Sequence, residues 1–408
     1  MASATQGHNR PVIAEISAGK LRSNFVAFRG AAGPDIEVLA VIKADGYGHG
    51  AAECAPVLAA AGARWLGVTS AEEGAAVRTA LRGSGFLDAT VRILVMCGIW
   101  PGDESACLDQ ALTPVAWEPY QLALLEGEAR RRGLPAHSVP VHIEVDTGMA
   151  RQGAAPGGAL DAMLPGFSPD SPLLLEGVLT HLASTECVLD PQNAAQMVRF
   201  AAALAQVLAA GLRPALIHAG NTSSTDSGFV PEGLPALAAM AGARCMTRAG
   251  LALYGYALPL SGGAPHVAGM LEPVLRWKAR VVSLRTIAPG DTVGYNAAFV
   301  ADRPMHLALL PVGYADGLRR ELSSSTAVPG GCVLLRGVRA PIAGRVSMDL
   351  TVVDVSHIPG VAIGDDAVLL GSQGNASIGA DEHARLAGTS AYEILCGISS
   401  RVPRLLMP

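Results

Sequence analysis

Ala40-Val-Ile-Lys43-Ala-Asp-Gly-Tyr47-Gly-His-Gly50 ends an apolar run on a single lysine and follows it with a glycine-rich turn. The run from 36 to 42 has the length and β-branched content of a buried strand. An amine at the mouth of such a strand sits partly out of water, which favours its neutral, nucleophilic form. A lysine at a strand end more often snorkels, with its stem on apolar surface and its head in water. The rest of the chain decides between the two.

Seven further candidate strands follow, at 65–68, 91–96, 111–115, 141–145, 173–179, 215–218 and 244–248. Helical patterns lie between most of them, as at 51–61, 71–81, 119–132 and 193–210. Parallel strands need such crossovers, and eight strand-and-crossover units with right-handed connections close into a barrel. Near residue 260 the pattern changes. Ser261-Gly262-Gly263-Ala264-Pro265 reads as a linker, and short β patterns at 274–284, 306–310, 332–335, 351–355 and 367–370 are divided by Gly, Pro and Asp turns. The expected fold is α/β, with a (β/α)8 TIM-type barrel over 1–260 and a smaller, mostly β domain over 266–408.

A chain of 408 residues exceeds what one core usually supports, in keeping with two domains. Lys plus Arg (30) nearly balances Asp plus Glu (35), and no basic run interleaves with aromatics, so nucleic acid is not an expected partner. Residues 1–10 lack an apolar segment and no later run is suited to span a bilayer, so a cytoplasmic protein without membrane association is expected. The seven cysteines, Cys54, Cys97, Cys107, Cys187, Cys245, Cys332 and Cys396, are scattered without a CxxC pair and read mostly as reduced core residues. The ten histidines are not clustered at ligand spacing, and no metal is expected.

Barrel active sites gather at the C-terminal ends of the strands. Lys43 follows the first run, Arg151 comes soon after the fifth, and His181 ends the sixth. His218-Ala-Gly-Asn221-Thr222-Ser223-Ser224 follows the seventh and Arg248-Ala-Gly250-Leu251 the eighth. Loops after the last two strands commonly cradle a phosphate with backbone N–H groups. An Asn-Thr-Ser-Ser turn alone is more often a helix cap, and a lone His181 a satisfied strand-end histidine. A phosphate site facing a buried lysine is what pyridoxal phosphate requires.

The lysine segment and seven further motifs resemble the alanine racemase family, in order and over nearly the whole chain. They are Val145-Asp-Thr-Gly-Met-Ala-Arg151-Gln-Gly, Gly177-Val-Leu-Thr-His181, His218-Ala-Gly-Asn221, Arg248-Ala-Gly-Leu-Ala-Leu-Tyr254-Gly, Val293-Gly-Tyr295, Val312-Gly-Tyr314-Ala-Asp-Gly and Gly344-Arg-Val-Ser-Met348-Asp349. The resemblance implies an isomerase with pyridoxal 5'-phosphate on its barrel, interconverting L- and D-alanine and supplying D-alanine for peptidoglycan in a bacterial cell. It also implies a homodimer with shared sites, in which Tyr295, Tyr314 and Met348 act on the partner's cofactor.

Roles follow from the same resemblance. Lys43 would carry the cofactor and serve as the base on one face of the substrate, with Tyr295 the base on the other. A phenol is a poor base at neutral pH unless a neighbour stabilises its anion, and the family assigns that help to His181. Arg248 would face the pyridine nitrogen. An arginine cannot accept a proton, so the nitrogen stays neutral and the carbanion less delocalised, with fewer side reactions. Arg151, the Met348 N–H and Tyr314 would bind the substrate. Tyr47, His218, Asn221, Thr222, Gly250, Leu251 and Ser400 would hold the cofactor. His49, Asp45 and Asp349 are left as structural.

Three positions depart from the family pattern. Glu144 stands where many members carry a carbamylated lysine, and its charge could orient Arg151. Ser400 replaces a phosphate-contacting tyrosine that narrows the substrate entrance, and Thr222 replaces a serine. A missing ring opens the alternative of a serine or broad-specificity racemase, since apolar pockets discriminate small differences by only about 1–3 kcal/mol. A non-catalytic pyridoxal phosphate carrier is a second alternative, opposed by the β domain and its tyrosines. A barrel decarboxylase or metal-assisted D-amino acid aldolase is a third, opposed by Arg248 and by the lack of clustered metal ligands.

Overall fold

The computed structural model describes residues 10–408. The expectation for the first nine residues therefore lies outside the described part. The chain divides into two units: a barrel unit of Lys20–Gly46 and Ala51–Glu272, and a β unit of residues 10–19, Tyr47–Gly50 and Pro273–Pro408.

Strand β1 (Val12–Ser17) precedes the barrel, whose eight strands are β2 (Ile36–Val41), β3 (Trp65–Val68), β4 (Arg92–Val95), β5 (Leu112–Ala116), β6 (Val139–Glu144), β7 (Leu173–Leu179), β8 (Leu216–His218) and β9 (Arg244–Ala249). Each pairs in parallel with the next, and β9 returns to β2 to close the ring. All eight runs expected from the sequence are strands of this barrel. Strands of a closed parallel barrel are covered on both faces, so β3 and β5 are buried at every residue; β3 reads as an unbroken apolar run and β5 is interrupted only by Thr113.

Local chemistry sets the crossover ends. Ser70 caps Ala71–Gly83 by accepting from the Glu73 N–H at 3.2 Å. Asp190 caps Pro191–Ala209 by accepting from Gln192 N–H at 2.9 Å, with Pro191 at the first helical position. Gly242, at φ 65°, ends Phe229–Ala241 in the left-handed conformation.

The β unit holds β10 (Leu275–Arg280), β11 (Ser283–Ile287), β12 (Thr292–Val293), β13 (Phe299–Val300), β14 (Met305–Leu310), β15 (Cys332–Leu335), β16 (Val338–Pro341), β17 (Thr351–Asp354), β18 (Asp366–Gln373), β19 (Ala376–Ile378) and β20 (Arg404–Met407). Its main sheet runs β16-β15-β18-β10-β1-β20, with β19 on β18. A second sheet runs β11-β14-β17, and β12 pairs with β13.

Two sequence expectations change here. Residues 12–17, read as part of a barrel domain over 1–260, form β1 of the β unit, antiparallel to β10 and parallel to β20. The single pattern at 274–284 is two strands, β10 and β11, in different sheets.

Within the β unit, Gly48 (φ 79°) has no room for a side chain: a Cβ there would lie 2.1 Å from the Leu395 carbonyl oxygen. Gly48→Ala is expected to destabilise the protein by about 2 kcal/mol or more, through backbone strain and a clash with fixed backbone. A lowered urea midpoint at unchanged slope would show it, and an unmoved midpoint would refute it.

Candidate active site

Lys43 emerges two residues beyond β2, half-buried, and among the described residues its amine has no hydrogen bond or ion pair. The turn after it is left-handed: Ala44, Asp45, Gly46 and Tyr47 have φ of 53°, 52°, 63° and 53°. Such backbone costs a non-glycine residue about 1–2 kcal/mol, so neighbouring bonds must hold it. Ala44 N–H donates to Glu73 Oε1 at 2.7 Å, Gly46 N–H to the Ile42 carbonyl at 2.9 Å, and Ala51 N–H to Asp45 Oδ1 at 2.9 Å. The other oxygen of Glu73 accepts from Thr69 N–H and Oγ1, both at 2.8 Å. One carboxylate thus ties the loop after β2 to the loop after β3. Sequence reasoning missed Glu73, which sits in an ordinary amphipathic helix.

Arg248, on β9, is buried and can only donate. It gives one N–H to the Thr180 carbonyl at 2.8 Å, one to His181 Nδ1 at 3.2 Å and one to His218 Nδ1 at 3.2 Å. Two of its five N–H groups stay uncommitted among the described residues. Burial pushes the guanidinium down to about 10, with Glu144 opposing and Arg151 assisting, and it remains a cation at neutral pH. Burial first, then Arg248, Arg151 and Lys43, hold His181 down at about 3. His181 is therefore neutral. With Nδ1 accepting from Arg248, its proton lies on Nε2, which is free to donate.

Arg151 lies exposed in the loop after β6. Asp146 Oδ1 gathers the N–H groups of Gly148, Met149 and Ala150 at 2.9, 3.0 and 3.1 Å and fixes that loop. The expected partnership of Glu144 with Arg151 takes a different form. The Glu144 carboxylate is buried and accepts from Gln152 Nε2 at 2.5 Å, while Gln152 also donates to the Met96 carbonyl at 3.0 Å. The short glutamate meets Gln152, a residue sequence reasoning passed over.

Burial raises the Glu144 pKa above the ordinary carboxylate value, outweighing Gln152, Arg248 and Arg151. A raised folded-state pKa means the fold binds an extra proton, so this group lowers stability as pH rises from the unfolded pKa through the folded one. Glu144→Gln is therefore expected to raise the melting temperature at pH 7 and to leave it unchanged near pH 4. Equal shifts at both pH values would refute this.

The loops after β8 and β9 are knit together by Thr222, whose buried hydroxyl oxygen accepts from Gly250 N–H at 3.3 Å and Ala252 N–H at 3.4 Å. Leu251 is buried between them. Asn221 is the N-cap of Thr222–Asp226, its Oδ1 accepting from Ser224 N–H and from Thr185 Oγ1, both at 3.0 Å.

The other expected residues belong to the β unit. Tyr47 is buried with its ring centroid 6.0 Å from that of Tyr392, and burial pushes its phenol well up. Tyr295 (68% exposed) and Tyr314 (43% exposed) line one open cleft of about 860 Å³ together with Arg319, Arg320 and Arg345. Tyr295 follows Gly294 at φ 75° and precedes Asn296 and Ala297 at 62° and 47°, a strained turn that lifts its ring outward. Tyr314 N–H donates to Ser347 O and Ala315 N–H to Met348 O, both at 3.0 Å. The Met348 N–H has no acceptor among the described residues. Ser400 is exposed in the turn before β20.

Asp45 and Asp349 have structural partners, Ala51 N–H and Arg401 at 2.7 Å. Among the described residues no three His, Cys, Asp or Glu side chains are grouped as a metal site requires, and no helix is long and apolar enough to cross a membrane.

Comparison with known proteins agrees with this arrangement. The family model "Alanine racemase, N-terminal domain" matches residues 16–258, and "Alanine racemase, C-terminal domain" matches 274–406. The alanine racemase of Symbiobacterium thermophilum is 39% identical over 399 residues, 97% of each chain. That of Sorangium cellulosum is 38% identical over 409 residues, 97% of this chain and 98% of its own. Among solved structures, the alanine racemase of Streptomyces coelicolor A3(2) superposes with a TM-score of 0.85 at 33% identity, covering 97% of this chain and 98% of the other. Both domain models, in order and over residues 16–258 and 274–406, lead to one conclusion: the chain belongs to the alanine racemase family.

Proposed function

We propose that this protein interconverts L- and D-alanine with pyridoxal phosphate, using Lys43 and Tyr295 as bases on opposite faces of the substrate. The observation that carries this reading is a buried Arg248 with two N–H groups uncommitted among the described residues, set among the same strand ends as a half-buried Lys43 that has no partner among them. These residues fit the cofactor. Lys43 would hold it covalently, and Arg248 would donate to its ring nitrogen. Tyr47, His218, Asn221, Thr222, Gly250, Leu251 and Ser400 would line its ring and phosphate. When bound, pyridoxal phosphate supplies an electron-withdrawing ring that disperses the charge left at the substrate α-carbon.

The proton transfers are the work of side chains. The Lys43 amine takes or returns the α-proton on one face, and the Tyr295 oxygen does so on the other. Neutral His181, with its proton on Nε2, is suited to donate to a tyrosine oxygen that carries negative charge. Arg151 suits the planar substrate carboxylate, and the unclaimed Met348 N–H supplies a second donor. Tyr314 would help bound the substrate. The exposure of Tyr295, Tyr314 and Met348 (53%) leaves them free to serve the site of a second copy in a homodimer. Supply of D-alanine to peptidoglycan in the cytoplasm is the corresponding cellular role.

A second reading, a racemase that also accepts serine, is favoured by Ser400, whose small exposed side chain cannot fill the space of a phenol. Chiral chromatography after incubation with L-alanine or L-serine at equal concentration, with added pyridoxal phosphate, tests both readings. Faster formation of D-alanine supports the first and comparable rates the second. Racemisation of neither would overturn both, in favour of a carrier.

A further inference from the structure

The barrel interior contains a line of polar side chains of which the proposed chemistry uses only the last two, His218 and Arg248. Arg92, the first residue of β4, stacks its guanidinium 4.6 Å from the Trp65 ring centroid and grips Glu176 of β7 with two N–H donors, both at 2.8 Å. Glu176 Oε2 lies 3.3 Å from His142 Nε2. His142 Nδ1 lies 2.8 Å from His218 Nε2, and His218 Nδ1 accepts from Arg248. Both imidazoles are fully buried, their ring centroids 5.0 Å apart and nearly edge to face. Gly177 makes room for them, since a Cβ there would lie 2.6 Å from the His142 ring. The line begins at the N-terminal end of a barrel strand and ends at Arg248, among the C-terminal ends.

Its two termini have no choice of role. Arg248 can only donate, and an ionised Glu176 can only accept. Each neutral imidazole between them has one donor and one acceptor. One assignment alone satisfies all three contacts: Arg248 to His218 Nδ1, His218 Nε2–H to His142 Nδ1, and His142 Nε2–H to Glu176. We propose that Glu176, anchored by Arg92, sets the tautomers of His142 and His218 and thereby positions Arg248, acting as a positioning residue from the opposite end of the barrel. That Arg248 is positioned for the cofactor ring rests on the proposed function, whereas the tautomer assignment does not.

The protonation states agree with this. Burial holds both histidines below their ordinary range, Glu176 opposing this at His142, and so keeps the pair neutral. Burial opposes ionisation of Glu176, but the hydrogen bonds from His142 and Arg92 outweigh it and hold its carboxyl at about 2. Were residue 176 a glutamine, its carbonyl would be drawn to the Arg92 donors and its amide N–H turned on His142. The line would then reverse and set an N–H of His218 Nδ1 against an N–H of Arg248. Two buried donors cannot bond, and a buried cation would lose a partner.

The test is ¹⁵N NMR of histidine-labelled, full-length protein at neutral pH, with and without bound pyridoxal phosphate, because ring-nitrogen shifts separate protonated from bare nitrogens. In the wild type both His142 and His218 are expected as Nε2–H tautomers. In Glu176→Gln, His142 is expected to move its proton to Nδ1. Alanine racemisation should then fall about ten- to a hundredfold in kcat, the effect of one hydrogen bond to a charged group, with KM little changed. A wild type with either ring as the Nδ1–H form or doubly protonated overturns the proposal, and this measurement does not depend on the variant folding. So does a Glu176→Gln protein that keeps both original tautomers. A wild type with the expected tautomers but no racemase activity would instead refute the proposed function and leave the tautomer assignment standing.

Discussion

Lys43→Ala protein is expected to lose racemisation of alanine by at least about 10⁴-fold and, with it, the visible absorbance of lysine-bound pyridoxal phosphate. Both losses share one cause, since the same amine is proposed to hold the cofactor and to move the proton. The barrel should survive, because Lys43 lies beyond the last residue of β2 and makes no bond that the fold needs. Bonds to Glu73, Ile42 and Asp45 hold the left-handed turn through backbone atoms and the Glu73 and Asp45 side chains, none of which the substitution removes. Far-ultraviolet circular dichroism and the melting temperature would check that the fold persists. Retained racemisation with retained absorbance would exclude Lys43 as the attachment point.

Tyr295→Phe should behave differently. The ring keeps its bulk and the lysine its cofactor, so the absorbance persists while racemisation falls about 10²- to 10⁴-fold, the usual effect of removing one acid–base group. Because the two enantiomers are equal in energy, overall racemisation must fall equally in both directions. The asymmetry appears in proton exchange. One enantiomer, whose α-hydrogen faces the lysine, should still exchange with solvent without turning over, and the other should not. An unchanged racemisation rate would remove Tyr295 from the chemistry.

The barrel was legible in the sequence because strands covered on both faces must be apolar at nearly every position, which sets them apart from the helices between them. The same property hid His142 and Glu176. Each sits in an otherwise apolar run, and only the closed ring shows that β6, β7 and β8 bring them to His218. β1 was misassigned for a related reason. Its alternating burial fits any half-covered strand, while its partners, β10 and β20, lie in the last third of the chain. Pairing over such separation leaves no local trace.

At the site, residue types announced Lys43, His181 and Arg248, whereas supporting contacts stayed silent. Glu73 and Gln152 are ordinary surface-type residues whose importance comes from reaching a neighbouring loop. Gln152 also explains how a glutamate can occupy position 144. Its amide donates to the buried carboxylate, which among the described residues makes no hydrogen bond or ion pair with Arg151.

Incubation of the purified protein with pyridoxal phosphate and L-alanine in D2O, followed by chiral separation and mass analysis, tests the central claim most directly. Two bases on opposite faces predict that D-alanine forms and carries deuterium at its α-carbon from the first turnover, while unreacted L-alanine keeps its hydrogen. D-Alanine that retains the original hydrogen would mean a single base serving both faces, and no D-alanine at all would contradict the assigned reaction.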